Sequence, residues 1–420
     1  MLNRKVAPTY LKSNSFILPS PKTFQLSNGI NLHSIEGVQQ DIIKIEFIFK
    51  AGKWFESKVG LAHFAAQMIE RGTSEKTSSQ LAEFFDRYGA HIEISPGLDF
   101  TSVALYSLSK NLHLVFPAFL QMLMTPSFPE NELRQMKDVF IQNLKINNEK
   151  NSFLASKALR KNIFGSNHPY GNSIEMEDVG NLNRLDLLKY FEEYLVPSEI
   201  FVVSKGDKPT IDYVIKNVLL THLKSQSKNE GSSGQSPNPF YQKIDKPNSV
   251  QSAVRLGAKT ISRTHPDYFN LLFLNHILGG FFGSRLMKNI REEKGLTYGI
   301  QSSVNSLMNE SFIVIGADVN KENEALIFQE IKNELIELQT IKIEESELDA
   351  AKGHFTGSIQ SDTANPFSVA EKIKTIKLFS LPDNYYQTLL DRVYSITSEE
   401  LRITAQSYLK DDDLYKVAVG

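Results

Sequence analysis

Cysteine is absent from all 420 residues, which removes disulfides, thiolate zinc sites and thiol nucleophiles together. Charge of one sign is not in surplus either. The chain carries 46 basic and 48 acidic residues and a net charge of −2, so no electrostatic case arises for nucleic acid or an anionic membrane as partner. No stretch approaches the roughly 20 apolar residues of a membrane span. The charged opening residues lead into a polar, proline-containing segment at 13–22 rather than an apolar run of signal-peptide length. A cytoplasmic address is the default expectation, and a chain without thiols is also compatible with the periplasm. Finally, none of the nine histidines has another at the i+3 to i+5 spacing of a helical metal pair.

What is present describes an ordinary globular protein. Hydrophobic residues make up 41% and charged residues 22%, ample for real cores, and the length suits roughly two to three domains. Residues 224–248 are rich in Gly, Ser and Pro with few apolar positions before Phe240 and Tyr241, the signature of a flexible linker. This linker falls near the middle of the chain, and the two sides of it repeat. Val179, Leu182, Leu187 and Leu195 recur as Val393, Ile396, Leu401 and Leu409 at a constant displacement of 214 residues. Each copy reads as a turn, a polar helix cap (Asn183, Thr397) and an amphipathic helix. Glu132-Leu133 recurs as Glu347-Leu348, one residue out of that register. The expectation is a duplicated α+β chain: an N-terminal extension at 1–21, a first domain at 22–223, a linker at 224–248 and a second domain at 249–420.

Local patterns fill in the first half. Residues 22–35 read as a strand pair about Ser27-Asn28-Gly29. Ile43, Ile45, Phe47 and Phe49 alternate with the intervening residues, the period of a strand with one buried face. A helix from near Ser78 carries Leu81, Phe84, Phe85 and Tyr88 and ends at Gly89. Strands follow around 91–95 and 100–108. An amphipathic helix falls within 109–124, which Pro117 should bend or delay. Another helix starts at Pro129 and turns Leu133, Met136, Phe140 and Leu144 inward.

Between these elements, residues 60–73 read Gly-Leu-Ala-His-Phe-Ala-Ala-Gln-Met-Ile-Glu-Arg-Gly-Thr. The inverted zinc motif H-x-x-E-H sets two imidazoles one helical turn apart to grip a metal, with a carboxylate that works on the metal-bound water. Here those three positions hold His63, Ala66 and Gln67. An alanine cannot take a proton from water, and an amide is a poor substitute for an imidazole. A lone His on an apolar helix face is more often a packed core residue than a ligand.

The flanking Gly-Leu-Ala-His-Phe and Arg-Gly-Thr resemble the pitrilysin/insulinase superfamily, which includes the mitochondrial processing peptidases and their bacterial relatives. The resemblance implies a two-domain α+β fold, each domain a mostly antiparallel sheet with helices packed on one face. It also implies a third zinc ligand, a Glu on the helix after Pro129. The matching position is Asn143, or Gln142 with one residue of slip, and neither is a carboxylate.

The second half begins with a strand near 250–256 and a helix at 266–278. Its glycine-rich turn, residues 279–285, lacks the Gly-Lys-Ser/Thr or G-x-G-x-x-G context of a phosphate loop and reads as a helix end with Ser284 capping the next helix. That helix runs into Arg291-Glu-Glu-Lys-Gly-Leu-Thr-Tyr298. In the superfamily the second domain donates an Arg and a Tyr at this spacing across a cleft. A guanidinium and a phenol can hold substrate carbonyls and stabilise an oxyanion; in an arbitrary protein they would be a surface ion pair and a strand residue.

Some bacterial members of the superfamily look like two-gene systems, in which one chain carries the complete zinc motif and a degenerate companion brings the Arg and Tyr. This chain resembles the companion: a noncatalytic subunit of a heterodimeric zinc peptidase, with no hydrolytic activity alone. It would bind no cofactor itself, zinc being expected in the partner subunit. Arg291 and Tyr298 would complete the partner's site around an extended peptide added to a sheet edge. Isolated, it could form a homodimer. The alternative is a catalytically inert scaffold of the same fold. An autonomous peptidase would need ligands assembled from distant segments, and a small-molecule binding module finds no motif.

Overall fold

The computed structural model describes residues 16–221 and 238–420. Residues 1–15 of the expected N-terminal extension and residues 222–237 of the expected linker lie outside the described residues. In the first half the elements are β1 (Lys22–Gln25), β2 (Asn31–Ile35), β3 (Ile42–Phe49), α1 (Leu61–Gln67), α2 (Ser78–Arg87), β4 (His91–Pro96), β5 (Thr101–Leu108), α3 (Leu112–Met124), α4 (Glu130–Asn148), α5 (Asn151–Phe164), α6 (Met176–Asn181), α7 (Arg184–Tyr194), β6 (Pro197–Val203) and α8 (Lys208–Leu220). The second half comprises β7 (Tyr241–Ile244), β8 (Gln251–Thr260), α9 (Tyr268–Asn275), β9 (Thr297–Ser306), β10 (Ser311–Asn320), α10 (Glu324–Thr340), α11 (Glu345–Asp362), α12 (Pro366–Leu378), α13 (Tyr385–Ser395), α14 (Ser398–Tyr408) and β11 (Tyr415–Val419). Among the described residues no helix is long and apolar enough to cross a membrane.

Two mixed, mostly antiparallel sheets result, ordered β1-β2-β6-β3-β5-β4 and β7-β11-β8-β10-β9. Apart from β1 the two are the same arrangement. In each, the last strand inserts beside the first and runs parallel to it (β6 on β2, β11 on β7), and all other pairings are antiparallel. The end of the segment expected as linker therefore becomes an edge strand, β7, whose Tyr241 hydroxyl hydrogen-bonds Glu324 at 2.9 Å.

The sequence repeat maps onto this duplication. Asn183 and Thr397 each accept a hydrogen bond from the backbone N–H three residues on, while Asp186 and Glu400 reach back in reciprocal capping boxes. Val179 and Val393 are both fully buried, as are Leu187 and Leu401. Pro117 lies inside α3 without ending it; the carbonyl its ring cannot pair, that of His113, lies 3.4 Å from the Tyr213 hydroxyl.

One expectation changes. β3 is buried on both faces, not one. Ile43, Ile45, Phe47 and Phe49 enter the core of their own half, whereas Ile48 packs with Val369, Ala370 and Ile373 of α12, a helix from the other half. The loan is reciprocal. α5 of the first half lays Ala155, Leu159 and Ile163 against Ala253, Val417 and Val419 of the second sheet. Alternation survives in the sequence because the face under α12 also carries Lys44 and Glu46, which are buried as ion pairs.

Candidate functional site

Gly60 takes a left-handed backbone, φ 97°, at the start of α1, a conformation in which a side chain would be strained. Its N–H and that of Ala62 both donate to Glu56 Oε2, at 3.0 and 3.2 Å. The helix so anchored buries Leu61, Ala62, Phe64, Ala65 and Ala66, which leaves His63 and Gln67, one turn apart, on the opposite face. Both line a cavity of about 400 Å³ together with Asn143 of α4. The fold thus brings His63 and Gln67 to one cavity with Asn143, the position at which the resemblance implies a third ligand.

The chemistry at those positions does not suit a metal. His63 is wedged between the rings of Phe64 and Phe140, with centroids 5.3 and 5.1 Å away, and burial holds its pKa below the ordinary imidazole value. Gln67 spends its amide N–H₂ on the Ile94 carbonyl of edge strand β4, at 3.2 Å. Ala66 has no exposed surface at all. The other expected donor position, Gln142, is exposed. One neutral imidazole and two amides are a poor zinc set, and among the described residues no three His, Cys, Asp or Glu side chains converge to hold an ion.

The second half presents its candidates differently. α9 continues through a wide helical turn, His276–Gly280, and after a break a second wide-turned segment spans Met287–Glu293; such turns cluster at functional positions. Ser284 does not cap this segment with its side chain. Its carbonyl accepts from Lys288 N–H at 3.0 Å, but its buried hydroxyl has no partner. The backbone of Ser284 does hold the cap position, one residue before the helix begins at Arg285, but its side chain is buried rather than turned to the helix N–H groups.

Three polar anchors hold one side of this segment against α10 and α11. Arg285 grips Glu347 with two bonds of 2.8 Å, Asn289 donates to Glu334 at 2.7 Å, and Lys294 pairs with Glu330. Arg291 is left on the other side, its guanidinium 4.6 Å from the Phe282 ring centroid. Gly295, φ 62°, reverses the chain, and β9 starts two residues later. Tyr298 is 95% exposed and forms no hydrogen bond with any described residue. Tyr298 and Phe282 line a common cavity of about 810 Å³ beside the free edge of the second sheet. Arg291 does not itself line this cavity; its contact with the lining is the Phe282 ring.

Sequence spacing missed one constellation. His276 and His354, 78 residues apart, meet with ring nitrogens at 3.1 Å, and both stack on Phe281, at 4.5 and 4.6 Å. Burial, with a contribution from His354, pushes the His276 pKa down to about 4. No third ligating residue joins them among the described residues.

Comparison with known proteins agrees with this architecture. Residues 34–178 match the family described as Insulinase (Peptidase family M16), and residues 181–354 match Peptidase M16 inactive domain. A Bacillus subtilis protein named "Uncharacterized zinc protease YmxG" is 26% identical over 303 residues, spanning 71% of this chain and 73% of its own. A Helicobacter pylori protein named "Non-peptidase homolog YmxG" is 23% identical over 385 residues, 88% of this chain and 87% of its own. Among solved structures, the peptidase M16 inactive domain from Pseudomonas fluorescens superposes with a TM-score of 0.88 at 22% identity, covering 96% of this chain and 98% of that one.

Proposed function

Because the chain belongs to the M16 (insulinase) peptidase family yet offers no ligand set at its own zinc position, we propose that it is the noncatalytic subunit of a heterodimeric zinc peptidase. The partner is a chain of the same family with an intact H-x-x-E-H motif. Metal-activated attack on the peptide belongs to that partner. This subunit lends Arg291 and Tyr298, a guanidinium and a phenol able to hold substrate carbonyls and the developing oxyanion. The peptide lies extended along a free strand edge, where main-chain pairing tolerates many sequences.

The observation that carries this reading is Tyr298: a large aromatic side chain, 95% exposed, whose hydroxyl has no partner among the described residues, seven residues after an Arg whose segment is anchored by Arg285, Asn289 and Lys294. Three charged or polar anchors that hold the segment without using Arg291, and a Tyr298 left exposed after it, suit donors meant for another molecule.

The test is co-expression with a neighbouring gene encoding the intact motif, followed by peptidase assays of each subunit and of the mixture. Activity is expected only in the mixture, and Arg291→Ala or Tyr298→Phe should lower kcat by about 10²–10³, the usual cost of one oxyanion donor. Equal activity of the zinc subunit alone rejects the reading. Activity that needs this chain but ignores both substitutions leaves it an inert scaffold.

A further inference from the structure

Behind His63 lies a separate cavity of about 430 Å³ that shares His63, Phe140 and Asn143 with the first one. Its wall is built from α4, α5, the segment before α1 and the loop around Ser173. Arg160 on α5 is its distinctive member. Among the described residues its half-buried guanidinium makes no hydrogen bond and no ion pair, which leaves its donors free for a ligand in the cavity. Two further groups in the wall are also unmatched: the Ser173 hydroxyl and Glu56 Oε1 are buried without partners. The other cations are accounted for, since Lys157 pairs with Glu175 at 2.5 Å and Lys53 donates to the Asn172 carbonyl.

We propose that this cavity is a carboxylate-binding site, which takes the C-terminal or an acidic side-chain carboxylate of a peptide entering past His63 and Asn143. The charge count selects a monoanion: Lys53 faces Glu56, Lys157 is paired, and one positive charge, that of Arg160, remains. A planar guanidinium matches a carboxylate through two parallel hydrogen bonds, and the Ser173 hydroxyl supplies a further donor. The electrostatics of the empty wall agree. Burial lowers the pKa of Arg160 and pushes that of Lys53 down to about 8, where Lys53 also faces Glu56, Arg160 and Asp178. Burial pushes Glu56 up to about 7, against Lys53 and the two backbone N–H groups it accepts from. A bound carboxylate would offset the burial that weighs on Arg160 and Lys53. The site needs neither the partner subunit nor hydrolysis, so its failure and that of the companion-subunit reading are separable.

Calorimetric titration of the purified full chain tests it with three hexapeptides of one sequence: free acid, C-terminal amide, and amide with a single Glu. Inorganic phosphate is titrated separately. The free acid is expected to bind at least about tenfold more tightly than the plain amide. If the Glu-bearing amide recovers that affinity, side chains serve as well as termini; if it does not, the site is specific for a terminus. Arg160→Gln should abolish the preference and Arg160→Lys retain part of it, with thermal melting showing both folded; Lys53→Met, on a different element, should weaken it too and substitutes should Arg160→Gln fail to fold. Equal binding of acid and amide, a preference untouched by Arg160→Gln, or binding of phosphate with no peptide preference would each overturn the proposal.

Discussion

At the scale of single residues, the zinc position has been repacked as well as stripped. Ala66 stands where the motif's carboxylate would be, and it is buried with no exposed surface. Gln67, by contrast, keeps a polar role, satisfying a carbonyl on the edge strand β4. Restoring the two positions should therefore have unequal consequences. Ala66→Glu must bury a carboxylate and displace close-packed neighbours, and is expected to cost about 2 kcal/mol or more. Gln67→His should cost about 1 kcal/mol, the worth of one hydrogen bond. Urea denaturation of the two variants measures both; comparable losses would contradict the sealed environment of Ala66. Which of His63, Ala66 and Gln67 lacked ligand chemistry was legible in the sequence, because donor atoms are a property of residue type. That His63 would be wedged by Phe140 was not, since Phe140 comes from a helix 77 residues away.

Among the elements, α12 and β3 illustrate how a polar network can specify a docking. Lys44 and Glu46 sit on the face of β3 beneath α12, paired at 2.8 Å; Lys374 reaches Glu46 at 2.8 Å, and Glu371 bridges Lys44 and Lys374 at 3.2 and 2.6 Å. Burial alone would raise the pKa of Glu46, but Lys374 and Lys44 outweigh it and hold the carboxyl below its ordinary value. A depressed carboxyl contributes stability that is present above the unfolded pKa and is lost as pH falls through the folded value. Glu46→Gln, which leaves two buried ammonium groups sharing one half-exposed Glu371, is expected to cost about 3 kcal/mol at pH 7. The difference from the wild-type chain should shrink as the pH is taken below the ordinary carboxylate range. Urea unfolding at pH 7 and at acid pH gives both numbers, and a pH-independent difference would show that the charge of Glu46 does not matter.

For the whole molecule, the exchange of α5 and α12 ties two sheets of one topology into a single body. Trp54, the only tryptophan, reports on the join: it packs with Leu159 and Tyr170 of the first half and with Phe312 and Val417 of the second. Close by, Asp99 accepts from the Tyr170 hydroxyl and from the Met308 N–H, the latter at 3.0 Å. Each half covers a face that the other would expose, so unfolding should be one cooperative event. Trp54 fluorescence and far-UV circular dichroism should trace coincident transitions in urea; two separated transitions would mean that the halves hold their structure independently.

The duplication, several turn and cap residues and the emptied metal motif could be read along the chain, because each depends on residue type and short-range spacing: a 214-residue echo of capped helices, a Gly at the left-handed turns of Gly29, Gly89 and Gly295, an amide where a ligand belongs. Tertiary structure alone decided that β3 is covered on both faces, that His276 meets His354, and that Arg160 faces a cavity with no acceptor among the described residues. Those outcomes depend on which distant helix comes to lie over which sheet, and long-range packing of that kind leaves no periodic trace in the order of the residues.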